Sequence, residues 1–507
     1  MTPKTDLFEL IHSLTDKEIK AFRAEILKRK GDHTYLKVFE LILDMNLYDE
    51  AKLKSHFKGT KTLNNFSIAK NNLYEKLLDV LCALPHHQNI ESKFDLFRQQ
   101  ITIMVKKSLY KQAIARVNKS LKLAEKLEAY RKVFDLHDIL REIGRNYLQP
   151  QEYLDLLKSL RNKENWLIEV EQNLKRYRDL FDTASIAQKV PDSIRMTMIN
   201  SILTHQLMAD ESECRSISAR LYFFRTWNHL YYIQGRDTGW KYFTQRIIEL
   251  LEENEHLLAD PGNFLVYINT ISDLGLNAIA SNEFKAAMEA AERLNTIRKN
   301  LKTGNTEALI FTRYWRLQLR YAQKKADIKS GLTAIESIRE GIRRFRGKLS
   351  KADTMELRHI SSIFLLSIDK NSEAIQWILS LREEKLESSR PDLHFLSWLL
   401  FLLAHYSLGH LDVVEQQVPG TVNYLRERKV LSPFVKLLIS FFKKVVNIKN
   451  RNEERVLLKK TREEMEILFN ETKDNRVLEL FDFLAWFDAK IEGKPMATQL
   501  RSVIGGR

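Results

Sequence analysis

The chain has 507 residues and a formal net charge of +15, with only 16 Gly and 9 Pro. Those counts are about 3 and 2 per cent against usual values of about 7 and 5, which argues against an all-β chain and for long helices. A single core stops growing near about 250 to 300 residues, and no Gly/Ser-rich or Pro-rich linker divides the chain, so an elongated helical array is expected.

Residues 1–85 read as a small helical head. Asp6 and Glu9 interrupt the apolar stretch from Met1 to Leu14, so no signal-peptide core is expected there. The longest apolar run, Phe395 to Ala404, falls short of the roughly 20 residues a membrane span needs. The expected location is therefore cytoplasmic. Thr15-Asp16-Lys17-Glu18 fits a capping box that opens a helix running through Leu27. Further helices are expected at about Tyr35 to Met45, Asp49 to Phe57 and Phe66 to Leu84, with Pro85-His86-His87 marking the boundary. The last two also admit a helix-turn-helix reading in which Lys61, Asn64, Ser67, Lys70 and Asn71 face a nucleic-acid groove. Their connection exceeds the usual 3 to 4 residues of that motif, and 14 basic against 12 acidic residues make a weak footprint for phosphate. A cap on the first repeat accounts for the same residues.

Residues 86–507 read as a repeat array. Breaks in helical periodicity fall near Ser108, Pro150, Pro191, Gly235, Ser281, Asp327, Asn371, His410 and Arg451, at intervals of 39 to 46 residues. Such a period marks a solenoid, because a lone helix pair cannot bury its apolar face and must stack on its neighbours. Two amphipathic helices are expected in each interval. The expected fold is thus all-α: a right-handed α-solenoid of stacked antiparallel hairpins behind the head, capped by a helix near Val477 to Ile491.

Three breaks precede one register: Tyr110-x-x-Ala113-x-x-x-Val117, Phe284-x-x-Ala287-x-x-x-Ala291 and Asn371-x-x-Ala374-x-x-x-Ile378. The small middle residue lets two helices approach closely while its i−3 and i+4 neighbours share its face. With turns such as Ala280-Ser281-Asn282-Glu283-Phe284 and Ser407-Leu408-Gly409-His410, this part of the chain resembles the tetratricopeptide-like superfamily. The period is longer than that superfamily's 34 residues. Over its whole length the chain is similar to a family of bacterial proteins with a short helical head before a repeat array. The resemblance rests on Leu7-Phe8-Glu9-Leu10-Ile11, Ser13-Leu14-Thr15, Tyr48-Asp49-Glu50, Lys70-Asn71-Asn72-Leu73-Tyr74 and Phe481-Asp482-Phe483-Leu484-Ala485-Trp486. It implies architecture and brings no activity.

The positive charge concentrates in two blocks, +6 over residues 86–150 and +8 over 301–370. In the second, Arg313, Arg316, Arg320 and Lys324 share an arc of about 80° on one helix, and Arg339, Arg343 and Arg346 share about 60° on the next. Arginine's planar fork suits carboxylate or phosphate, so this patch is the candidate surface for a partner, expected to be an acidic protein. A solvated outer face is the alternative. Lys111, Lys119, Lys122 and Lys126 form a second, weaker stripe. Tyr222, Phe223, Phe224, Trp227, Tyr231 and Tyr232 surround their helix, as a buried central helix requires, with Arg225 and His229 offering a polar position between them.

No catalytic, metal or cofactor motif stands out. Gly341 to Lys348 lacks the spacing and the Ser/Thr of a phosphate loop, and no strand precedes it. His86-His87 lacks metal-ligand spacing. Cys82 and Cys214 are isolated and are expected to pack as small apolar residues. The expected function is a non-catalytic interaction scaffold or adaptor, and the alternative is a nucleic-acid-linked regulator with a partner-sensing array.

Overall fold

The computed structural model describes residues 6–14, 16–27, 34–45, 48–57, 66–84, 90–187, 190, 192–300, 304–383, 390–428, 430–472 and 481–496. Among them lie 23 α-helices, with a few short 3-10 turns between them. In chain order the α-helices are α1 (Asp6–Ser13), α2 (Asp16–Leu27), α3 (Thr34–Leu43), α4 (Glu50–Ser55), α5 (Phe66–Ala83), α6 (Ile90–Lys106), α7 (Tyr110–Lys126) and α8 (Tyr130–Tyr147). Next come α9 (Pro150–Ala187), α10 (Asp192–Leu203), α11 (Ile217–Ile233), α12 (Asp237–Glu253), α13 (Pro261–Ala280), α14 (Phe284–Asn300), α15 (Gly304–Lys325) and α16 (Ile328–Arg344). The last are α17 (Lys351–Ser367), α18 (Asn371–Arg382), α19 (Pro391–Ser407), α20 (Leu411–Glu427), α21 (Pro433–Val445), α22 (Arg451–Thr472) and α23 (Phe483–Glu492). Packing is mostly between helices adjacent in sequence, with α6 also meeting α8, α9 meeting α11, α15 meeting α17 and α17 meeting α19. This all-helical, neighbour-on-neighbour arrangement is consistent with a helical repeat.

A single local device produces the breaks near Ser108, Gly235, Ser281, Asp327, Asn371 and His410. Ser108, Glu128, Gly235, Asn282, Ala326, Asp369 and Gly409 all have positive φ just past a helix end. At each, the next backbone N–H reaches back five residues to a carbonyl of the helix it leaves: Leu109 to Met104 at 2.9 Å, Arg236 to Tyr231 at 2.9 Å, Glu283 to Ala278 at 2.7 Å, Asp327 to Ala322 at 2.8 Å and His410 to His405 at 3.0 Å, for example. This is the Schellman closure, in which one left-handed residue satisfies orphan carbonyls and reverses the chain. The register after the breaks follows, since Ala113, Val117, Ala287, Ala291, Ala374 and Ile378 are all buried.

One interval departs from the expectation of two helices. Pro150 to Ala187 is a single helix of 38 residues. Its interior contains neither Gly nor a second Pro, the residues that most readily break a helix. Thr15 of the expected capping box lies outside the described residues, as do Pro85, His86, His87 and Pro191. Glu18 is buried. Cys214 is half-buried, its thiol pushed up to about 11 by burial. Cys82, contrary to expectation, is exposed on α5 and packs into no core.

The chain forms two compact units, one comprising Met1–Thr2 and Lys20–Leu274 and the other Pro3–Ile19 and Gly275–Arg507. In the first unit α9 packs against α8, α10 and α11. The carboxylate of Glu128 accepts from the Ile217 and Ser218 N–H groups at 2.8 and 2.7 Å, so a residue 89 positions away caps α11. Phe223 and Phe224 of α11 are buried, but Tyr232 is 50% exposed, so the aromatic ring does not close all round.

In the second unit one continuous apolar core runs from Ala308 to Met496. Helix α23 buries Phe483, Trp486 and Phe487 against it, and Phe481 just before the helix is buried too. The expected start of this helix at Val477 lies outside the described residues. Gly347 has φ +76°, and a Cβ there would stand 2.9 Å from the Ser13 carbonyl oxygen, so the turn after α16 meets the end of α1 where only glycine fits. No helix among the described residues is long and apolar enough to cross a membrane.

Candidate functional site

The site is built on α15 to α18 of the second unit. Helix α16 is held closely on both neighbours because it presents glycine where aromatic rings press in. A Cβ on Gly341 would meet the Phe311 ring of α15 at 1.9 Å, and one on Gly331 would meet the Phe364 ring of α17 at 1.9 Å. The glycines therefore fix the rotation of α16 and with it the direction of its arginines.

The arginine stripe of α15 is turned onto α17. Arg313 Nη1 lies 2.6 Å from Asp353 Oδ1, and Arg316 Nη1 lies 2.8 Å from Glu356 Oε1, with all four side chains 13 to 17% exposed. Burial pushes the Glu356 carboxyl up, yet Arg316 and Arg313, with Arg390 nearby, hold it below its ordinary value. Arg390 pairs with Asp392 at 2.7 Å beside this group. Arg320 donates to Gln323 Oε1 at 3.3 Å, and burial pushes its guanidinium below the ordinary arginine range. Lys324 opposes the upward push of burial on the Asp482 carboxyl. These four cations are half-buried, and the first two are tied to carboxylates that seat α15 on α17.

The second stripe lies at the surface. Arg339 stands over the Trp377 ring at 5.6 Å and meets Glu336 at 3.2 Å. Arg343 and Arg346 are exposed and form no ion pair with a described residue. Between α16, α17 and α18 opens a cleft of about 240 Å³ lined by Arg339, Ile342, Arg343, Arg358, Gln376, Trp377 and Ser380. Arg358 donates to the Ser380 carbonyl at 3.0 Å, which holds its guanidinium at the cleft wall. Among the described residues no carboxylate lines the cleft. It is a cationic depression with an apolar floor, suited to binding an anion.

The other sequence candidates are placed as follows. Lys111, Lys119, Lys122 and Lys126 lie exposed along α7. Lys61 and Asn64 lie outside the described residues, whereas Ser67 and Asn71 are exposed on α5. Lys70 is engaged within the fold, donating to Tyr48 Oη at 2.8 Å and to Glu50 Oε2 at 3.0 Å. Lys54 and Lys70, with Tyr48, hold the Glu50 carboxyl down at about 2. Arg225 packs over Phe181 at 4.0 Å in the first unit, and burial pushes both it and His229 below their ordinary values. Among the described residues no group of three His, Cys, Asp or Glu is placed to hold a metal ion.

Of the residues that line the cleft, the sequence singled out Arg339 and Arg343 and not Ile342, Arg358, Gln376, Trp377 or Ser380. The usable signal for Trp377 was the Asn371-x-x-Ala374-x-x-x-Ile378 register, which places it beside the packed face. Comparison with family models, curated proteins and solved structures gives no match for this chain.

Proposed function

We propose that this protein is a non-catalytic interaction scaffold or adaptor whose stacked helical hairpins form an α-solenoid of the tetratricopeptide-like kind. Its partner is an acidic protein that docks on the surface of α16. The observation that carries this reading is the exposed pair Arg343 and Arg346 beside a cleft lined by three arginines and, among the described residues, by no carboxylate. Surface arginines satisfied by their own neighbours have little left for a partner, but Arg343 and Arg346 keep their forks available. The nucleic-acid reading of the head draws less support, because Lys70, the one basic residue among its described contacts, is committed to Tyr48 and Glu50.

The test uses the full chain to capture its partner from the source cell, in parallel with the double variant Arg343→Glu and Arg346→Glu. Both side chains are exposed, so the variant should keep its helicity and thermal transition within about 0.5 kcal/mol. Charge reversal at an interface costs several kcal/mol of binding, so an acidic partner should be lost, and wild-type capture should weaken as salt rises. Undiminished capture of the same partner by the folded variant would remove this surface from the reading. Arg313 and Arg316 are unsuitable for the test because their replacement would strip Asp353 and Glu356 of their partners.

A further inference from the structure

We propose that the cleft between α16, α17 and α18 is a binding site for an organic phosphomonoester, a chemistry more specific than general acidity. This rests on the interaction reading above for its biological setting, but its physical argument is independent. Arg339 and Arg343 stand one helical turn apart and therefore side by side. Arg358 faces them from α17, and Gln376 and Ser380 add neutral polar groups from α18. Arg339 is already paired with Glu336 at 3.2 Å, and the three guanidiniums still leave a surplus of positive charge that a single carboxylate, with one negative charge and two oxygens, answers only in part. A phosphomonoester carries nearly two charges at neutral pH and three terminal oxygens, and arginine contacts to such groups are often bidentate.

Size narrows the ligand further. About 240 Å³ is below the roughly 300 to 1,000 Å³ of pockets that enclose drug-sized molecules. It suits a group the size of one side chain, with the phosphate among the arginines and its carbon attachment over Ile342 and Trp377. The site is also set in advance. Arg339 rests over Trp377, Arg358 is tethered to the Ser380 carbonyl, and Gly331 and Gly341 fix α16 against its neighbours. Pre-ordered groups lose less freedom when a ligand arrives.

Two sources share this chemistry, a phosphorylated side chain of the partner and a small phosphate ester, and titration calorimetry on the full chain separates them. The probes are phenyl phosphate, benzoate, a short phosphoserine peptide and the same peptide with Asp in place of phosphoserine. Both phosphate probes should bind about tenfold or more tightly than their carboxylate counterparts, as expected when one or two charge-assisted contacts are gained. Arg343→Gln should weaken phenyl phosphate by about tenfold, with Arg346→Gln, outside the cleft, leaving it unchanged. Arg339→Gln should act like Arg343→Gln, and if it disturbs α16, the exposed Arg343 still decides. Binding of the phosphopeptide above phenyl phosphate supports a protein source, and equal binding supports a free ester. Benzoate binding as well as phenyl phosphate, or an Arg343→Gln titration identical to wild type, would overturn the proposal. The interaction reading would survive that result if the acidic partner were still released by the Arg343→Glu and Arg346→Glu pair, so the two failures are separable.

Discussion

Glu356 shows how a residue chosen for charge becomes part of the scaffold. Its carboxylate answers Arg316 at 2.8 Å and lies 3.9 Å from Arg313, in surroundings where desolvation opposes ionisation. Its folded-state pKa is lower than the unfolded one, so its stabilising contribution is present above the ordinary glutamate range, about 4.3. That contribution is lost as pH falls through the lower folded value. Glu356→Gln should therefore destabilise the second unit at pH 7 by about 3 kcal/mol, because the half-buried Arg316 guanidinium loses the anion 2.8 Å away while Arg313 keeps Asp353. The loss should shrink on acidification. Urea unfolding of both proteins between pH 7 and pH 3 measures this, and a constant difference across the range would contradict it.

At the scale of elements, the joints are more informative than the helices. Five non-glycine residues hold the left-handed turn position, at a conformational cost of about 1 kcal/mol each. Glu128 is compensated by its cap on α11, while Ser108 is exposed and makes no comparable contact. Ser108→Gly should accordingly stabilise the first unit by about 0.5 to 1 kcal/mol, read from the urea midpoint at unchanged slope. The breaks near Ser108, Gly235, Ser281, Asp327, Asn371 and His410 were legible because helix closure is local chemistry, set within about six residues. The buried Ala113, Ala287 and Ala374 were legible because helical spacing alone puts them on the packed face. The pairing of Arg313 and Arg316 was not legible, since Asp353 and Glu356 lie 40 residues further on and only the packing of α15 on α17 brings them near. The same applies to the cleft, whose lining comes from three helices. Helix α9 was misread because the regular period suggested a turn where the sequence has neither Gly nor an interior Pro to break the helix.

The whole molecule is two compact units, and the second enlists the amino-terminal segment. Leu7 and Ile11 of α1 are buried, at 6 and 0% exposure, and α1 ends against the Gly347 turn. Removing residues 1–19 should cost the second unit about 3 to 6 kcal/mol, the burial of two large aliphatic side chains. Hydrogen exchange should rise in residues 341–349 and remain unchanged in residues 217–253 of the first unit. Unaltered exchange around the Gly347 turn would show that α1 contributes nothing there.

The contact between Ser13 and Gly347 also imposes a schedule on biosynthesis. Helix α1 leaves the ribosome more than three hundred residues ahead of the turn that receives it. At about 5 to 20 residues per second, the wait is roughly a quarter of a minute to a minute. Throughout it Leu7 and Ile11 have no final place to go, and the nascent chain carries a short apolar helix open to capture by chaperones or by a neighbouring chain on the same message. The first unit, complete by Leu274, is free to fold during that interval. The second closes last, when its earliest-made piece returns.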